Sequence, residues 1–151
     1  MEQGNFPAAA EAFEAGHATD LLIFAPRLHA GDLLLRRKQY PQARGVYETL
    51  LKETNVVISS ERLRYAILLS YIGEKEENAA KNAFGQITFP TESPAYYYAQ
   101  AAWAFAHGKP RDAQKWLKSA EKVYEPATTL WFARPLYDFG WIKSKPHPTI
   151  N

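Results

Sequence analysis

There is no cysteine among the 151 residues, which excludes disulfides and any thiolate metal site. Long apolar runs are missing as well. The longest, Leu21–Pro26 and Ala101–Ala106, fall far short of the ~20 apolar residues that span a bilayer, so no membrane insertion is expected of this segment. The opening residues, MEQGNFPAAAEAFEAG, lack the basic region and apolar core of a secretory signal. None of these absences chooses between cytoplasm and periplasm. A surplus of one charge is also absent. Eighteen Lys and Arg stand against sixteen Asp and Glu, interspersed, for a formal net charge of +2 and a pI near 8.8. Such a chain offers no broad field for a polyanion, and no nucleic-acid partner is expected.

Residue sets that carry chemistry are equally scarce. The histidines are His17, His29, His107 and His147, and none has a second ligand at metal-binding spacing. His107, at the end of an alanine-rich run, suits a helix C-terminus, where the dipole favours a cation. Gly4, Gly16, Gly31 and Gly45 are scattered through helical pattern rather than gathered into a phosphate loop. Glu74-Lys75-Glu76-Glu77 reads as a solvated turn and helix start, and Arg36-Arg37-Lys38 as a single basic turn without a stripe. No catalytic residue, metal site or cofactor is expected, and the chain does not read as an enzyme.

What the sequence does contain is a repeat. Apolar residues make up 46%, enough for a folded core and too many for disorder. Tyr40-Pro41-x-Ala43-x-x-x-Tyr47 repeats, thirty-four residues on, the pattern Phe6-Pro7-x-Ala9-x-x-x-Phe13. Ala80 with Phe84 follows thirty-seven residues later, and Ala113 with Leu117 thirty-three after that. A small residue lets two antiparallel helices approach, and the larger residue one turn on fills the wider gap. In period and pattern the chain resembles the tetratricopeptide repeat family, and Gly31 falls where that family places a small residue on the first helix. The resemblance covers about residues 5–126. It implies an all-α fold: a right-handed α-α superhelix, a solenoid of about seven to eight antiparallel helices with a C-terminal capping helix. Residues 1–142 are expected to form one such domain of about 3.5 repeats plus the cap, and residues 143–151 a flexible tail. Because the chain opens on a second helix with no first helix before it, it is expected to be a piece of a longer protein, the alternative being a native half-repeat that serves as an N-terminal cap.

Local signals set the expected elements. Helices are predicted over Pro7–His17, over Arg27–Lys38 after an apolar connector at Leu21–Phe24, and over Pro41–Glu53. Val56, Val57 and Ile58 are expected in a packed connector, with Ser59 or Ser60 capping a helix from Glu61 to Ile72 that Gly73 ends. Its partner should run from Glu76 to Ile87. Ser93-Pro94 signals a helix start, and Pro94–His107, aromatic and almost uncharged, should be contacted on more than one side. After Gly108-Lys109-Pro110 comes the Ala113/Leu117/Ala120 helix. Thr128 or Thr129 should then cap a last helix, kinked or shortened at Pro135, that covers the open face of the last repeat.

Carrying over the family register, first helices line a concave groove. Its residues here would be Leu28, Asp32, Arg36, Arg62, Tyr65, Leu69, Tyr98, Ala102 and Phe105. Asp32, Leu69 and Ala102 stand where a carboxylate clamp would need asparagine, so that mode is not implied. Aromatics flanked by arginine are enriched at protein-binding hot spots. The expected function is therefore a protein–protein interaction scaffold that takes a protein or peptide segment in the groove. The alternatives are structural self-association or capping through the aromatic segment Trp131–Trp141, including a homo-oligomer, and a regulatory domain of a larger enzyme.

Overall fold

The computed structural model describes residues 24–143. Among them are seven helices and no strands: α1 over residues 24–36, α2 Tyr40–Glu53, α3 Val57–Glu74, α4 Glu77–Gly85, α5 Ala95–Ala106, α6 Pro110–Val123 and α7 Pro126–Asp138. The all-α class matches the expectation from sequence. The helix expected over Pro7–His17, its Phe6/Ala9/Phe13 face and the tail at 144–151 lie outside the described residues.

Successive helices pack as antiparallel neighbours. Arg27 near the start of α1 reaches Glu53 at the end of α2, and Arg44 of α2 reaches Ser70 and Glu74 late in α3. The small-then-large pairs behave as their spacing requires. Ala43, Tyr47 and Leu50 share the buried stripe of α2, as do Ala113, Leu117 and Ala120 in α6. A Cβ on Gly31 would sit 2.9 Å from the Tyr47 ring, so the missing side chain is what lets α1 and α2 close. α3 is the central helix, packed against α2, α4 and α5, and is buried almost without interruption from Tyr65 to Ser70. α5 lies against α3, α6 and α7, which accounts for its uncharged sequence.

The turn inside each hairpin repeats along with the helices. Lys38, Lys75 and Gly108 all take left-handed backbone, with φ of 64°, 62° and 74°. They stand thirty-seven and thirty-three residues apart, the offsets that separate Ala43, Ala80 and Ala113. Backbone and side-chain periods therefore agree over three hairpins.

Several boundaries differ from the sequence expectation, each for a local reason. Phe24 is already helical rather than part of a connector. α3 begins at Val57, so Val57 and Ile58 form its first turn instead of a packed link, and both are about half exposed. A link of three residues suffices because Thr54 is extended and its Oγ1 accepts the Val56 amide at 3.2 Å. Gly73 lies inside α3, at a place where a Cβ would collide with the Tyr40 ring; the left-handed Lys75 is what ends the helix. α4 is a residue or two shorter at each end than expected. α5 starts at Ala95, with its first amides taken by Ser93 Oγ and Thr91 Oγ1. α7 starts at Pro126, where a missing N–H costs nothing, and continues through Pro135 to Asp138.

One polar contact fixes the long α4–α5 link. The buried Glu61 carboxylate accepts the amides of Glu92 and Ser93 at 2.9 and 2.8 Å. Tyr124 Oη donates to the Ser93 carbonyl at 3.0 Å from the other side.

Candidate functional site

α1, α3 and α5 run in one direction and present a common face, and α7 lies along it. Trp131 and Phe132 of α7 meet Asp32, Tyr65 and Tyr98, whereas Asp138 and the following Trp141 meet Arg36 and Phe105. α7 therefore runs parallel to the three helices beneath it. It reaches well past the last hairpin, which was its expected seat as a cap. The reason is its apolar load: Phe132 and Leu136 are 1% and 0% exposed, and α6 alone offers no such cover.

Polar contacts fix the register of α7. The Asp32 carboxylate accepts from Tyr47 Oη at 2.6 Å and from Trp131 Nε1 at 2.8 Å. Burial raises the Asp32 carboxyl above its usual range despite those two donors, and burial beside Asp32 raises the Tyr47 hydroxyl. Tyr65, fully buried, donates its hydroxyl to the Phe132 carbonyl at 2.7 Å, and burial holds that hydroxyl well above its ordinary value. Arg36 Nε lies 3.4 Å from Asp138 Oδ2, and Arg134 one turn earlier on α7 takes the other carboxylate oxygen. The rings of Tyr65 and Tyr98 meet edge to face, and both pack on Phe132 at 5.3 and 5.8 Å between centroids.

The nine residues expected to line an open groove thus fall into two groups. Asp32, Arg36, Arg62, Tyr65, Tyr98 and Phe105 all touch α7 or the segment just after it. Leu28, Leu69 and Ala102 are core residues, at most 6% exposed. This corrects the picture of a groove open to solvent: the face exists, and the chain itself covers it. Trp131, Phe132 and Asp138 are the residues that reading the sequence did not assign to the site. Their signal was the aromatic density after Thr129, which the sequence assigned to capping the last repeat or to self-association and not to the face of α1 and α3.

Arg62 is the exception to the otherwise matched polar groups. Its guanidinium lies over the Trp131 and Phe132 rings at 5.6 and 5.9 Å. Its Nε is buried and has no acceptor among the described residues. Burial lowers its pKa, with Asp32 acting in the opposite sense.

Beyond Asp138 the chain forms a column of near-parallel rings, Phe105 on Trp141, Trp141 on Phe139 and Phe139 on Tyr40. This column walls a cavity of about 670 Å³ that Arg36, Gly73 and His107 also line. No three His, Asp or Glu side chains gather as metal ligands among the described residues, and no described helix is long and apolar enough to cross a membrane. No family model, curated protein or solved structure matches this chain.

Proposed function

We propose that this chain is a protein-interaction scaffold of the tetratricopeptide type, a right-handed superhelix of helical hairpins whose concave face binds a helical segment of a partner. The observation that carries this reading is the fit of α7 to the face of α1, α3 and α5. A parallel helix is held there by the buried Phe132 and the half-buried Trp131, a carboxylate–arginine pair and side-chain hydrogen bonds. That is how an amphipathic helix is recognised in a groove. In this chain α7 is the occupant, and a partner binds by taking its place. The recurrence of the left-handed turn at the offsets of the small-residue positions supports the repeat type.

A second reading makes α7 a permanent cap and leaves the aromatic segment as a structural or self-association surface. It is favoured by the complete burial of Leu136. Affinity capture separates the two. Trp131→Ala with Asp138→Ala weakens α7 and leaves every side chain of α1, α3 and α5 intact. The tethered helix competes at an effective concentration in the millimolar range. The weakened chain should therefore retain a purified partner at least ~10-fold better than the parent. Equal retention by both chains removes the proposal and favours the cap.

A further inference from the structure

The seat under α7 has more binding capacity than α7 uses. Two arginines project to it, Arg36 and Arg62. Arg36 is matched by Asp138. Arg62 lies over ring faces and feels the charge of Asp32, but its Nε is left buried without an acceptor among the described residues. A buried donor without an acceptor costs more than a hydrogen bond gains, and a charged one costs most. α7 has a second weakness of its own. Pro135 has no amide to give to the Trp131 carbonyl one turn back, so the middle of the helix lacks a rung.

The geometry says where the missing acceptor belongs. On α7, residue 128 stands three before Trp131 and four before Phe132, which places it on their side of the helix and one turn earlier. The position holds Thr128, which is exposed, whereas its neighbour Thr129 is buried with its hydroxyl turned to the Pro126 carbonyl. Side chains on a helix lean towards its N-terminus, which carries the Trp131 and Phe132 rings, and Arg62 over them, back towards the turn that holds residue 128. A carboxylate at this position would therefore face Arg62 across the aromatic pair.

We infer that the seat on α1, α3 and α5 accepts in trans an amphipathic helix carrying an aromatic pair, an aliphatic residue four positions after the second aromatic, and two carboxylates. One carboxylate lies two positions after the aliphatic residue, on Arg36. The other lies one turn before the aromatic pair, on Arg62, and this second carboxylate lets the helix displace α7. The inference rests on the reading of the chain as a helix-binding scaffold, and it names the partner's chemistry: an acidic amphipathic helix with its acids at both ends of an apolar centre.

Two fluorescein-labelled peptides test it. One has the sequence of residues 125–142; the other carries Thr128→Glu. Both are titrated by anisotropy into the full chain bearing Trp131→Ala and Asp138→Ala, so that competition from α7 is reduced. The Glu peptide is expected to bind roughly tenfold tighter, the scale of one charge-assisted hydrogen bond. A glutamate in the first turn also favours any helix, so the same titration is repeated with Arg62→Met added. There the advantage should fall below about twofold. Arg62→Gln serves in its place if circular dichroism shows the Met variant unfolded.

An advantage that persists without Arg62, or none with it, overturns the inference. Failure of the unmodified peptide to bind at all would instead remove the scaffold reading beneath it. Binding of that peptide with no Arg62-dependent gain removes the partner chemistry alone.

Discussion

His107 ends α5 with both ring nitrogens facing acceptors, Nδ1 the Trp103 carbonyl and Nε2 the Glu77 carboxylate, each at 2.8 Å. Two acceptors need two N–H donors, so both contacts are satisfied together only when the ring is protonated to imidazolium. Its pKa is accordingly raised, by the Glu77 hydrogen bond first and the Trp103 carbonyl second, against burial and the nearby Lys109. A raised folded pKa means that the stabilisation is fully present below the ordinary histidine value near 6.5 and is lost as pH rises through the folded value. The pair is largely exposed, so the effect should stay below about 1 kcal/mol. Urea denaturation of the parent should show stability falling across this window, and His107→Gln should flatten the fall. If the variant keeps the full slope, His107 is not its source. The sequence showed His107 at a helix end and nothing of Glu77, thirty residues away. Asp32 makes the same point more sharply. Its donors lie fifteen and ninety-nine residues along the chain, so the sequence could mark it as polar on an inner face but not as bonded there.

Helices were legible where periodicity and small residues coincide, as in α2 and α6, and less so where a residue can end a helix or permit contact. Gly73 is the clearest instance. In sequence it reads as a stop; in the fold it is the place where the Tyr40 ring crosses α3, and the stop is Lys75. Glycine is needed there for space, since its backbone is ordinary helix. Gly73→Ala should therefore cost about 1–3 kcal/mol through overpacking, more than the small gain an alanine otherwise brings inside a helix. Tyr40 would have to move, and Tyr40 stacks on Phe139 just after α7. Gly73→Ala with Tyr40→Ala should recover part of that loss, because the obstacle is gone. Thermal melts of the two single variants and the pair check this, and additive losses would show that Gly73 and Tyr40 are not coupled.

Across the whole molecule, the register of the hairpins was written in the sequence and the occupant of their common face was not. Tyr65, Tyr98 and Arg62 offer aromatic and cationic groups that suit a ligand from outside as well as Trp131 and Phe132, thirty-four to sixty-nine residues further along the same chain. Nothing local distinguishes the cases, because docking α7 depends on the joint geometry of three helices. What matters for function is whether α7 opens by itself. It follows α6 after a link of only Tyr124 and Glu125 and lacks a backbone donor at Pro135, while α3 is held by neighbours on several sides. α7 should then be a separate, less stable cooperative unit. Phe132, at 1% exposure, is its main anchor, and Phe132→Ala should cost about 3–5 kcal/mol of docking. Native-state hydrogen exchange reads the difference directly. Exchange in α7 should accelerate by roughly a hundredfold or more, the factor that ~3 kcal/mol implies, while the slowest amides of α2 and α3 change far less. Equal acceleration in α2, α3 and α7 would instead mean that the helix unfolds only with the array, and the proposed exchange of α7 for a partner helix would then require melting the array itself.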